Sequence, residues 1–208
     1  MGIFTRKTTG GSVAVLERDD FDAATQAIAD VSGDYVLDPS HTRIGFAAKH
    51  AMVTTVRGAF LDFEGTLTLD GDNPADSSAN LVIQAASFDS GSAQRDGHVK
   101  GADFLDVENH PTLTFASTSV RQDGNDFVLV GDLTIHGTTR PVQIAVELEG
   151  VDKDPFGNER VGFSGTATIS RKDFGLTWNV ALESGGILVS DKVKITLDVS
   201  AIKQLVNA

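Results

Sequence analysis

Asp38-Pro39-Ser40-His41-Thr42-Arg43-Ile44-Gly45-Phe46-Ala47-Ala48-Lys49-His50-Ala51-Met52 opens on a turn signal and runs into strict alternation. Thr42, Ile44, Phe46, Ala48 and His50 fall on one side, and Arg43, Gly45, Ala47 and Lys49 on the other. Period 2 with one apolar row is the pattern of a half-buried β-strand. His50 ends the apolar row, so this strand is expected to carry an imidazole inward.

Working outward, Tyr35 to His50 reads as a first strand. Met52 to Gly58 leads into a second, long strand through Asp70, whose inward parity switches near Leu61-Asp62, the mark of a β-bulge at a corner. A third runs from Ala79 to Asp89. His110-Pro111 starts a fourth, with Leu113 and Phe115 on one face. The fifth reads Phe127, Leu129, Gly131, Leu133, Ile135, and the sixth Val142, Ile144, Val146, Leu148. Val161, Phe163, Gly165, Ala167 and Ile169 make the seventh, and Val193, Ile195, Leu197 and Val199 the last. Ser90 to Asp106 interrupts the alternation, with Ser92 placed to cap a short helix containing Arg95, Asp96, His98, Val99 and Lys100. Arg171 to Asp191 is a long loop holding Phe174, Gly175, Leu176 and the lone Trp178.

Eight sequential strands, mostly joined by short turns, predict an all-β, up-and-down antiparallel barrel, which also removes exposed edges. It carries a short helical insert after strand three and a long loop before the last strand. Such a barrel holds side chains or one small ligand. Several inward positions are small: Ala48, Gly58, Gly65, Ala85, Gly131, Gly165 and Ala167. Either they leave room for a cavity, or they relieve crowding in a bent sheet.

Composition narrows the function. The 208 residues carry 17 Lys and Arg against 29 Asp and Glu, a net charge of −12. Nucleic acid and anionic membrane surfaces are therefore poor partners. With no cysteine, disulfides, thiol catalysis and Cys-ligated metal are excluded. No stretch approaches the roughly 18 apolar residues of a membrane span. The longest early apolar run, Val13 to Leu16, is far short of a signal-peptide core, so a soluble, cytoplasmic chain is expected. Residues 1–33, with the linker-like Thr8-Thr9-Gly10-Gly11-Ser12 and a short helix over Asp20 to Ala29, are expected to form a flexible extension, and residues 34–208 the barrel domain.

Seven pieces, in order, resemble the YceI-like proteins. They are Tyr35-Val36-Leu37-Asp38-Pro39-Ser40-His41, Phe46-Ala47-Ala48-Lys49-His50, Val56-Arg57-Gly58-Ala59-Phe60, Arg95-Asp96-Gly97-His98-Val99-Lys100, Asp103-Phe104-Leu105-Asp106, His110-Pro111-Thr112-Leu113-Thr114-Phe115, and Gly131 through Val142. The resemblance spans about residues 34–202. It implies an extended, lipocalin-like eight-stranded barrel whose hydrophobic tunnel holds a polyisoprenoid, such as an isoprenoid quinone or prenyl pyrophosphate. It also allows for a homodimer. No covalent cofactor is expected.

On that reading Phe46, Met52, Phe60, Phe63, Phe88 and Phe104 are expected to line or cap the tunnel, together with Phe115, Phe163, Phe174, Leu176 and Trp178. His50 is added as a ligand contact. Arg95, His98 and Lys100 are expected at the barrel mouth, holding a pyrophosphate or quinone oxygen, because a guanidinium fork donates two bonds at once. Against this stands an ordinary solvated Asp96–Lys100 pair at i,i+4. All five histidines (His41, His50, His98, His110, His136) fall in the matching pieces, but no His-x-x-x-His pair exists, so no metal ligand is assigned. No catalytic residue is assigned either: Asp173-Phe174-Gly175 lacks every other kinase element. The leading expectation is a non-enzymatic lipid carrier. The alternatives are a histidine- or metal-dependent enzyme on a lipid-like substrate and a solid barrel that binds a protein.

Overall fold

The computed structural model describes residues 31–124, 126–183 and 185–205. The helix expected over 20–29, and most of the extension, lie outside the described residues. In chain order the elements are β1 (Gly33–Leu37), β2 (Arg43–His50), β3 (Thr54–Phe60), β4 (Phe63–Leu69), β5 (Ser78–Gln84), β6 (Phe88–Asp89), α1 (Ala93–Lys100), β7 (Thr112–Asp123), β8 (Asp126–Ile135), β9 (Thr138–Lys153), β10 (Glu159–Ser170) and β11 (Val189–Lys203). All pairings are antiparallel. β1-β4-β5-β7-β8-β9-β10-β11 closes on itself through β1–β11, an eight-stranded barrel. No helix among the described residues is long and apolar enough to cross a membrane.

The extra strands arise because each of the first three long strands breaks once. β1 and β2 part at Asp38–Thr42, β3 and β4 at Leu61–Asp62, and β5 and β6 at a single 3₁₀ turn over Ala85–Ser87. The first break is fixed by Ser200 of β11. Its carbonyl accepts from the Asp38 N–H (2.8 Å) and the Thr42 hydroxyl (3.0 Å), and its N–H donates to Thr42 Oγ1 (3.0 Å). The second and third breaks are stapled together: the Leu61 N–H donates to Ser87 Oγ (3.1 Å), and the Gln84 N–H to the Asp62 carbonyl (2.9 Å). The parity switch at Leu61-Asp62 is therefore a full interruption of the strand.

Beyond the breaks, β2, β3 and β6 form a flap hydrogen-bonded along the N-terminal half of β11. This overturns one expectation. His50 does not point into the interior; it sits exposed at the far end of β2, paired with Thr54 and Val189. The apolar row that begins at Ile44, 4% exposed, leaves the barrel before reaching it.

A charged lock ties β1, β10 and the β9–β10 turn together on the outside of the barrel wall. Arg160 of β10 donates Nη1 to Asp38 Oδ2 (2.6 Å) and Nε to Asp154 Oδ2 (2.8 Å), tying the first break to the β9–β10 turn. Asp38 also accepts the Ser40 hydroxyl (2.6 Å) and N–H (2.9 Å), and His41 Nδ1 lies 2.7 Å from its other oxygen. The Ser40 hydroxyl first, and then the Arg160 guanidinium, hold the Asp38 carboxyl well below the usual carboxylate range. A depressed folded-state pKa gives stability that is complete above the unfolded value, about 4, and is lost as pH falls through the folded value. Thermal melts between pH 7 and 2.5 should therefore be flat down to about pH 5 and fall below about pH 4. Asp38→Asn should melt lower at neutral pH, with the gap to wild type closing in acid. A gap that stays constant down to the lowest pH would refute this role for the lock.

Candidate ligand-binding site

Strand periodicity builds the site. Val142, Ile144, Val146 and Leu148 of β9 face inward together, as do Phe127, Leu129, Leu133 and Ile135 of β8, and Ile195, Leu197 and Val199 of β11. With Leu113, Phe115, Phe163 and Ile169 they enclose a cavity of about 230 Å³ whose wall is almost wholly carbon. At the β4–β5 connection the cavity is bordered by Asp70, Ser77, Ser78 and Asn80 together with Val31 and Pro74. Leu105 from the helical insert and Phe174 and Leu176 from the loop before β11 join the buried core but do not line the cavity.

The small inward residues do not all make this space. Gly165 and Ala167 line it. Gly58, Gly65 and Gly131 are instead covered by their neighbours. The Phe46 ring lies over Gly58, Leu37 over Gly65 (its Cδ1 2.7 Å from where a Cβ would stand), and the Phe115 ring over Gly131. These glycines accept large side chains from adjacent strands, so crowding accounts for them and the cavity does not.

Of the residues anticipated from sequence, Phe60, Phe115 and Phe163 line the cavity. Phe46, Phe60 and Phe88 form an aromatic trio between the flap strands, with Phe46 and Phe88 stacked at 4.7 Å. Phe63 is buried opposite Ile83. Phe104 and Trp178 pack around His98, the indole 4.7 Å and the phenyl 5.2 Å from the imidazole, while His98 Nε2 lies 3.0 Å from Asp103. Phe174 and Leu176 are buried in the same cap. Met52 is exposed at the β2–β3 tip in left-handed backbone.

The α1 cluster is held locally. Arg95 donates Nε to Ser90 Oγ (2.6 Å) and Nη2 to the Ser90 carbonyl (2.8 Å). Asp96 accepts the Ser90 N–H (3.0 Å) and hydroxyl, so its carboxylate faces back toward the strand instead of pairing with Lys100. Neither Arg95, His98 nor Lys100 borders the cavity, and the same holds for His50 and Met52. A ligand confined to the cavity meets Phe60, Phe115 and Phe163; contact with the cap residues requires one that extends past it.

Sequence reasoning missed the polar rim, because Asp70-Gly71-Asp72-Asn73-Pro74 reads only as a turn. It also missed a trio able to hold a cation. Asp106, His110 and His136 place one ligand atom each within 4.8 Å of one another. Its local signal was Asp106-x-x-x-His110, a carboxylate in place of the first histidine of a pair.

A closed antiparallel barrel of eight strands around an axial apolar cavity is a lipocalin-like barrel. Residues 35–201 match the YceI-like domain family, and the chain belongs to that family. It is 38% identical over 176 residues to Protein YceI of Escherichia coli O17:K52:H18, covering 84% of this chain and 89% of that one. A UPF0312 protein of Ectopseudomonas mendocina is 37% identical over 177 residues, covering 84% and 90%. Among solved structures, BcnA of Burkholderia cenocepacia superposes with a TM-score of 0.66 at 27% identity, over 79% of this chain and 98% of that one. The polyisoprenoid binding domain from Saccharophagus degradans superposes with a TM-score of 0.58, over 82% and 98%, but at 17% identity its likeness is one of fold.

Proposed function

We propose that the barrel binds one long-chain isoprenoid lipid, of the isoprenoid quinone or prenyl pyrophosphate type, and sequesters or carries it without chemically changing it. The observation that carries this reading is the cavity's almost wholly carbon wall, bordered at the β4–β5 connection by Asp70, Ser77, Ser78 and Asn80. An apolar wall with a few polar groups at one end fits an apolar chain with a polar head. The Saccharophagus degradans protein of the same fold is a polyisoprenoid binding domain, which supports the same ligand class. Burial of the chain supplies the affinity, at roughly 0.8 kcal/mol per CH₂.

Native mass spectrometry of gently purified protein, followed by organic extraction, tests the reading directly. A discrete excess mass that extracts as an isoprenoid is expected. In a series of prenyl alcohols, affinity should fall by at least about tenfold per isoprene unit removed. Equal affinity for short and long members would refute burial as the source of binding, and a clean protein mass that long prenyl lipids leave unchanged would refute lipid carriage.

A further inference from the structure

We propose that Asp106, His110 and His136 form a binding site for one divalent transition-metal ion of the zinc class, separate from the lipid cavity and independent of the lipid reading. Asp106 and His110 stand in the connection between α1 and β7. His136 stands in the β8–β9 turn, a separate segment brought alongside by the barrel. A turn that starts from left-handed backbone at Asp106 (φ 47°) and is closed by the His110 N–H to the Asp106 carbonyl at 2.8 Å brings the first two side chains together. The His110 and His136 rings lie 4.4 Å apart between centroids, tilted by 59°. Gly137 lets them meet, since a Cβ there would stand 2.9 Å from the His110 ring.

Three observations point to a ligand and not to a settled polar contact. The donor set is two imidazoles and one carboxylate, which first-row divalent metals accept and which suits magnesium or calcium poorly. Neither imidazole has a hydrogen-bond partner among the described residues, although both are half-buried. Every other described histidine except His50, which is exposed, faces a carboxylate: His41 meets Asp38, and His98 meets Asp103. The Asp106 carboxylate, finally, is held in place. The Asn109 amide donates to both of its oxygens, at 3.1 and 2.9 Å, a hydrogen bond of the kind that fixes metal-ligating carboxylates, and each oxygen keeps a further lone pair for an ion.

The three ligand atoms lie within 4.8 Å of one another. Neighbouring ligands of a tetrahedral zinc stand about 3.3 Å apart, so small side-chain rotations complete the site. Three protein donors leave a coordination position for water. The ion would join the α1–β7 connection to the β8–β9 turn.

The test uses the full chain, stripped with EDTA and dialysed against metal-free buffer, then titrated with Co²⁺ alone. A visible d–d band saturating at one equivalent, displaced by Zn²⁺, is the expected result, together with a rise of several degrees in the melting temperature at excess Zn²⁺. Two variants are chosen to keep the fold: His110→Phe retains a ring, and His136→Asn tolerates the left-handed backbone at that position (φ 50°). Each should weaken Co²⁺ binding by about a hundredfold or more, since loss of an outer-shell partner alone costs roughly 10–100-fold. His98→Ala should leave it unchanged. Absence of a saturable band in the wild-type protein would overturn the site, and so would a band of equal affinity in the double variant.

Discussion

Arg171→Met is expected to lower the unfolding free energy by about 3–5 kcal/mol, with a fall in melting temperature of roughly 10 °C. Arg171 is 3% exposed and meets no carboxylate within ion-pair distance among the described residues. Its fork donates Nε to the Ser190 carbonyl (3.0 Å), Nη1 to the Leu176 carbonyl and Nη2, more weakly, to the Val189 carbonyl (3.4 Å). Its guanidinium carbon lies 5.9 Å from the Phe104 ring centre. Burial pushes its pKa down, but an arginine stays charged in a protein. One side chain thus satisfies backbone acceptors on both sides of the loop before β11. Methionine fills a similar volume and donates nothing, leaving the buried carbonyls without partners. Lysine keeps the charge but not the fork, so Arg171→Lys should fall between the two. Urea unfolding of all three proteins measures the series. A loss below about 1 kcal/mol for methionine would mean that water replaces the guanidinium, and that the cap is looser than its burial indicates.

Leu129→Trp combined with Val146→Trp is expected to abolish lipid loading, with at least a hundredfold loss of affinity for a long prenyl alcohol, while the barrel persists. Both residues line the cavity and both are half-buried, so each indole has space to enter. Overpacking should cost about 1–3 kcal/mol of stability per site, which circular dichroism melts will register. The lost affinity follows from the volume the rings occupy, because a chain that cannot enter cannot be desolvated. If the double variant still co-purifies with lipid, or binds it as the wild type does, the ligand is held elsewhere, and the cap around Trp178 becomes the place to look.

How far the sequence discloses this molecule differs from element to element. The cores of β8 to β11 are legible, as in β9, where Val142, Ile144, Val146 and Leu148 alternate with Gln143, Ala145, Glu147 and Glu149; their ends are not, since β9 runs on to Lys153 and β11 starts at Val189, inside the expected loops. The helical insert is legible too: Ser92 stands at the N-cap position of α1, although its side chain makes no capping bond. The breaks in the first strands are not, apart from Leu61-Asp62, because Ser200, more than 150 residues away, decides where β1 ends (|i−j| = 158 to Thr42). The same limit applies to the site. Period 2 says which residues face inward, but not whether a facing chain covers them. The Phe115 ring fills the space that Gly131 opens, and the aliphatic rows of β8, β9 and β11, ordinary in the sequence, become the cavity wall. Asp106, His110 and His136 converge only when β7 and β8 pair, and no spacing rule spans that distance.

β11 bonds along one edge to β10 and along the other to β2 and then to β1, where the seam is three residue pairs long, Tyr35↔Lys203 to Leu37↔Ala201. Of the described elements it is also the last to be synthesised. Until Lys203 emerges, β1 and β10 have no neighbour on that side, and the inner face of the sheet stands open to the cell. Closure is thus a late, long-range event joining the two ends of the described fold, which predicts slow folding of high contact order. A nascent chain arrested before residue 189 would be a curled sheet with an apolar trough, sticky to chaperones and to loose lipid alike.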